Sequence, residues 1–208
     1  MDCAPVPAKV LIALARAVLN VSGGDNSGVE VLSRYLPRIV QIEDDELKRK
    51  TASVYLELFK SSRWKNLSEQ PIFGNLAVSA LEHTNAVVEL CLQMAEVIER
   101  NHKIKVNKDH LVASAILHDA SKLVEFDPSG KGMKQTRLGE LGQHTIKCVS
   151  LMLAVGMPLE VVHAVLAHTP KSGAVPKTVE ALLVYFAEAV DYNVLKLTRG
   201  LGTDIAPK

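Results

Sequence analysis

The sequence predicts an all-α fold, and three observations predict it. Apolar residues recur at spacings of three and four, most clearly from Leu76 to about Arg100, through Leu76, Ala80, Val87, Leu90, Met94 and Val97. No pair of alternating apolar and polar segments is bounded by hairpin turns. Glycine and proline fall mostly between the periodic segments, where they punctuate helices. At 208 residues the chain suits one ordinary domain, or a domain with a helical extension, and can bury a core without covalent staples.

The first expected helix runs from Pro5 to Val21 and stops at Gly23-Gly24. A second runs from Ser27 to about Val40 with a break or kink at Pro37, and a third follows Asp44 through Phe59. These three carry no convergent chemistry. The polar stretch SSRWKNLSEQP, closed by Pro71, separates them from the rest, so a boundary is expected near residue 70, with an N-terminal helical extension over 1–70 and a second unit over 71–208. In the helix from Leu76, His83 fills the gap between Ala80 and Val87 and points inward. Asn107 suits the N-cap of a helix ending at His118, with Val106 placed to pack back on it. The segment EFDPSGKGMKQTR reads as a basic loop. It precedes a helix that carries His144 and stops at Gly156. Pro158 opens a helix ending near His168, and Pro176 opens the last long helix, which stops at Gly200.

Composition narrows the function. With 24 basic and 23 acidic residues, no global field points to nucleic acid or an anionic membrane. Cys3, Cys91 and Cys148 are odd in number and far apart, which argues against a disulfide framework and a cysteine zinc cluster and for a reduced, cytoplasmic setting. The opening AKVLIALARAVLNVSGG is like a signal peptide only in outline. Arg16 interrupts its apolar run, which is too short to span a bilayer.

The chemistry gathers around LVASAILHDASK, where His118 and Asp119 stand side by side at a helix end. Neighbours on a helix point about 100° apart, so both can reach one ion most easily where the backbone loosens. His83, His144, His168 and Asp191 recur at long intervals, each on a different helix. Imidazole and carboxylate together suit iron, manganese, zinc, cobalt or nickel better than calcium. The Glu-x-x-His signature of ferritin-like bundles is absent.

On these residues the chain resembles the HD superfamily of metal-dependent phosphohydrolases, over roughly Ala77 to Arg199. The resemblance implies an all-α HD-domain helical bundle and a minimal metal set of His83, His118, Asp119 and Asp191. The two further histidines, His144 and His168, are similar to those of the bimetallic branch, which includes bacterial dinucleoside tetraphosphate hydrolases and HD-GYP phosphodiesterases. That likeness implies two divalent ions bridged by Asp119, with His83, His118 and Asp191 on one and His144 and His168 on the other. Iron or manganese is favoured, with zinc, cobalt, nickel or magnesium as further options. The GYP motif is missing, and the HTPKSG run at His168 looks closer to the dinucleoside tetraphosphate group. Lys122 stands in the HDxxK position, where the resemblance implies contact with a substrate phosphate, a role that suits a point charge.

Other residues compete for roles. Glu140, one turn before His144, could accept its second ring proton, or could be an exposed acid near a helix start. Glu188, three before Asp191, shares that aspartate's face and could hold a water or a metal edge, with a partly exposed surface acid as the simpler reading. His102, His110 and His163 are not expected to be ligands. GKGMKQT lacks the phosphate-loop pattern. Lys131, Lys134 and Arg137 read as a solvated loop, or as a lid facing an anionic substrate. Cys91 and Cys148 read as core hydrophobes.

The expected activity is hydrolysis of a phosphate ester or anhydride of a small nucleotide-like molecule, with Asp119 and Lys122 at the catalytic centre. An HD-fold di-iron oxygenase and a nucleotide-sensing or partner-binding module are the alternatives. The helices of residues 1–70 could cap the domain or pair two copies as a homodimer.

Overall fold

The computed structural model describes residues 26–72, 78–130, 132–142 and 144–204. The expected helix over Pro5 to Val21, Cys3 and Lys131 lie outside the described residues.

The described chain is helical, as its periodicity requires. Helix α1 (Ser27–Ser33) gives way to a 3-10 turn (Pro37–Gln41) at the proline expected to break it, and α2 (Asp45–Ser61) starts where the Asp44 carboxylate accepts from the backbone N–H of Glu46 and Leu47. Helix α3 (Ala80–His102) begins in a capping box, with Ser79 on the Glu82 N–H and Glu82 on the Ser79 N–H. This cap puts its start four residues after the expected one. Helix α4 (Lys108–Leu117) starts at Asn107, which accepts from the His110 N–H.

Helix α4 is the axis of the fold. Leu111 to Leu117 are all buried, and α2, α3, α8 (Leu159–Ala167) and α9 (Val179–Leu197) pack around it. A helix apolar all round has to sit inside, which is why its periodicity is weak. Past Leu117 the chain tightens: Ala120 N, Lys122 N and Leu123 N donate to carbonyls three residues back, and α5 (Lys122–Glu125) follows.

Here the all-helical expectation meets an exception. The segment expected to be a basic loop forms a short antiparallel hairpin of β1 (Phe126–Ser129) and β2 (Gly132–Gln135), with Phe126 opposite Gln135 and Pro128 opposite Met133. Its strands are too short for alternation to show in the sequence. Gly130, at φ +58°, takes the left-handed turn conformation that glycine adopts without cost. Trp64 Nε1 donates to Phe126 O at 2.9 Å, and Arg63 pairs with Asp127, which pins the hairpin to the chain after α2. Helices α6 (Arg137–Leu141) and α7 (Ile146–Ala154) follow.

One apolar cluster runs through residues on both sides of residue 70, from Val29, Leu32 and Leu56 to Leu117, Val165 and Val184. Polar ties reinforce it. The Asp109 carboxylate accepts from Glu43 N and Asp44 N at 2.8 and 2.9 Å, and Asn85 Nδ2 donates to Tyr35 O at 2.9 Å. Among the described residues, no helix is long and apolar enough to cross a membrane.

Candidate metal centre

Four imidazoles converge on Asp119, each turned the same way. His118 Nδ1 and His168 Nδ1 donate to the carbonyls of Ala115 and Val165, both at 2.7 Å. His83 Nδ1 donates to Asp191 Oδ2 at 2.6 Å, and His144 Nδ1 to the Glu125 carboxylate at 2.9 and 3.1 Å. Each acceptor holds a proton on Nδ1 and turns Nε2, the atom a metal would take, inward. The Nε2 atoms meet in pairs, His83 with His118 at 3.2 Å and His144 with His168 at 3.4 Å.

Asp119 divides its oxygens between those pairs. Oδ2 lies 3.6 Å from both His83 Nε2 and His118 Nε2. Oδ1 lies 3.4 Å from His144 Nε2 and 3.6 Å from His168 Nε2. Glu188 completes the first group, its Oε2 at 2.6 Å from His83 Nε2 and 3.4 Å from His118 Nε2. Two donor sets able to hold an ion result: His83, His118, Asp119 and Glu188, and Asp119, His144 and His168.

The donor set fits cations. Two carboxylates and four inward-facing ring nitrogens crowd one buried space, and that concentration of donor atoms and negative charge calls for positive charge among them, as ring protons in the metal-free protein or as metal ions. The electrostatics agree. Burial pushes His83 down, but the carboxylates of Glu188, Asp191 and Asp119 outweigh it and hold the ring at about 9. For His144 burial is again outweighed, by Asp119 and Glu125, and the ring is held at about 9. Burial would raise Asp119, yet Lys122 and the imidazoles of His118, His144 and His168 hold it well below the usual carboxylate range. Glu188 is likewise held low against burial, chiefly by His83. His168 is pushed down by burial.

The structure departs from the sequence reading at two acids. Asp191, expected to hold an ion, sits on the outer nitrogen of His83, and Glu188, read as a surface acid or as a metal edge, occupies the inner position. They share one face of α9, and the longer glutamate reaches the ring cluster. Glu140, considered as a partner for His144, pairs with Arg137 at 3.2 Å, and Glu125 takes that role. A signal for Glu125 was present: Asp119, Lys122 and Glu125 are spaced by three, as residues on one side of a tightened helix are. His102, His110 and His163 lie outside both groups, and His163 Nε2 accepts from Lys177 N at 2.9 Å. Cys91 and Cys148 are buried free thiols.

Lys122 Nζ lies 2.5 Å from Asp119 Oδ2, and its side chain borders a cleft of about 900 Å³ that opens from the two donor sets. Burial lowers Lys122, but Asp119, Glu188 and Glu125 outweigh it, so the ammonium stays charged. Phe126 and Met133 of the hairpin and Tyr185, Phe186 and Tyr192 of α9 line the cleft further out. Strand alternation puts Met133 and Gln135 on the cleft and Lys134 on the other side, and neither Lys134 nor Arg137 lines the cleft, which agrees with the solvated reading of these two residues rather than with a lid.

Comparison with known proteins follows the same lines. A family model described as HD domain matches residues 80–193. The chain is 25% identical over 177 residues to a dihydroneopterin 2',3'-cyclic phosphate phosphodiesterase of Methanocaldococcus jannaschii, covering 78% of this chain and 70% of that protein. No solved structure gives a significant match.

Proposed function

The chain belongs to the HD-domain family, and from that premise we propose that it is a divalent-metal-dependent phosphohydrolase with two ions in one centre. The substrate class is a phosphate ester or anhydride, cyclic phosphodiesters included, of a small nucleotide-like molecule. One observation carries the reading: Asp119 turns one oxygen to each of two groups of inward-facing Nε2 atoms. His83, His118, Asp119 and Glu188 would hold one ion, and Asp119, His144 and His168 the other, a division like that implied by the bimetallic branch except that Glu188 stands in the place expected of Asp191. Such a pair of ions supplies hydroxide at neutral pH and neutralises charge on the phosphoryl group.

The chain's own residues do the rest. Lys122 sets a partly buried ammonium where the Asp119 carboxylate meets the cleft, placed to attract a phosphate oxygen as charge builds on it. Phe126, Met133, Tyr185, Phe186 and Tyr192 offer apolar and aromatic walls on which a flat ring can stack. Phe186 is 51% exposed, an aromatic face that a bound ring would cover. The closed end of the cleft holds Asp119 and His168 almost out of solvent, which strengthens each charge interaction there.

The relative's cyclic phosphate makes a 2',3'-cyclic phosphate the first substrate to test. Water adds to phosphorus, one ring P–O bond breaks, and the released alkoxide takes a proton, leaving a phosphomonoester. Iron or manganese is the favoured metal, because mixed imidazole and carboxylate donors suit both. The buried free thiols of Cys91 and Cys148 suit a reducing cytoplasm. The test is hydrolysis of nucleoside 2',3'-cyclic phosphates and nucleotide anhydrides by protein loaded with manganese or iron, with oxygen excluded. Turnover that stops on chelation supports the reading. Turnover that requires oxygen would move the chain to the di-iron oxygenases.

A further inference from the structure

We propose that Glu125 is the positioning residue that sets the affinity of the second donor set, acting through His144 and leaving the first set untouched. The inference rests on the two-ion reading above. The two sets are unequal. The first holds two carboxylates, Asp119 and Glu188, with its imidazoles fully buried; the second shares Asp119 and has no carboxylate of its own. His144 is also its most exposed ligand, at 18% of the side chain against 1% for His168. An ion at the second set lacks a charge that the first set supplies directly.

Glu125 supplies that charge from behind. Its two oxygens lie 3.1 and 2.9 Å from His144 Nδ1, and Oε1 also accepts from Thr145 N at 3.2 Å. A carboxylate on the outer N–H of an imidazole raises the electron density on the inner nitrogen and fixes the ring's direction.

The fold holds this arrangement at a cost. Thr145 sits at φ +74°, a left-handed conformation that a β-branched residue adopts only under constraint, and its N–H meets Glu125 from there. Thr136 N donates to Glu125 O at 2.9 Å. Gly139 presses on the same carbonyl so closely that an added Cβ would lie 2.3 Å from it. Backbone clamps thus fix Glu125 from two sides while its carboxylate faces one ligand of one donor set.

Stepwise Co²⁺ titration of the metal-free protein, followed by visible absorption and by elemental analysis, tests the proposal. Wild type takes up two ions in two steps. Glu125→Gln leaves the first step unchanged and weakens the second by about 10–100-fold. Glu125→Asp weakens only the second step by less, and carries the same test should the glutamine variant not fold. Glu140→Gln changes neither step. His144→Ala removes the second step altogether, as loss of a ligand does, whereas Glu125→Gln only weakens it. A two-step wild type whose Glu125 variants weaken both steps equally, or neither, overturns the role of Glu125 alone. A wild type that takes up a single ion overturns the two-ion reading and this inference with it.

Discussion

Replacing Glu188 and Asp191 one at a time separates an ion-holding carboxylate from one that orients an imidazole. Both acids lie 2.6 Å from His83, so distance does not tell them apart; the nitrogen does. Glu188 faces Nε2, the atom turned toward His118 and Asp119, whereas Asp191 faces Nδ1. Glu188→Gln removes a unit negative charge from the place of the ion. At about 4 Å and an effective dielectric near 20, one pair of unit charges is worth about 4 kcal/mol and a divalent ion doubles it, so affinity at the first set should fall by at least about 10³-fold. Asp191→Asn keeps an oxygen that accepts from Nδ1–H and removes only the charge behind it. Substitutions of that kind cost about 10–100-fold, or about 1.4–2.7 kcal/mol. Competition of each variant against a chromophoric chelator, with elemental analysis after dialysis, reads both losses. The reasoning is refuted if Asp191→Asn loses as much affinity as Glu188→Gln, because Asp191 would then hold the ion itself.

Other consequences follow from the same geometry. His168→Ala should lower metal content from two ions to one and remove most activity while the protein stays folded, since the first donor set does not include it; loss of both ions would show that the sets are not separable. Gly139→Ala should lower the melting temperature and weaken the second ion more than the first, because the new methyl displaces the Glu125 carbonyl; calorimetry and metal titration give the two readings. In metal-free protein, His83 and His144 are held at about 9, above the unfolded value of about 6.5. The stability they contribute is fully present below pH 6.5 and is lost as pH rises toward 9, so the metal-free melting temperature should fall across that window. Metal loading near pH 7.5 should release about two protons, one from each ring, which calorimetric titration in buffers of different ionisation heat will count. Phe186→Ala should raise KM for a ring-bearing substrate and change kcat little, as expected of a side chain that binds but does not react.

Much of the fold is legible in the chain alone. The caps at Asp44 and Asn107, the break at Pro37 and the inward face of His83 follow from local chemistry and helical periodicity, because each depends on residues within a turn or two. The four histidines around Asp119 were also identifiable, since few other roles explain imidazoles at those points of a family pattern. What distant parts of the chain decide was not legible. Glu188 and Asp191 share a helical face, and only the rotation and depth of α9 against α3, α4 and α8 determine which meets Nε2 of His83. Glu140 is nearer in sequence to His144 than Glu125 is, but the path through the hairpin and α6 brings Glu125 under the ring and leaves Glu140 with Arg137. Local sequence determined which segments are helices and which residue types they carry. Packing alone decided which carboxylate faces which nitrogen, because that choice depends on how helices far apart in the chain are set against one another.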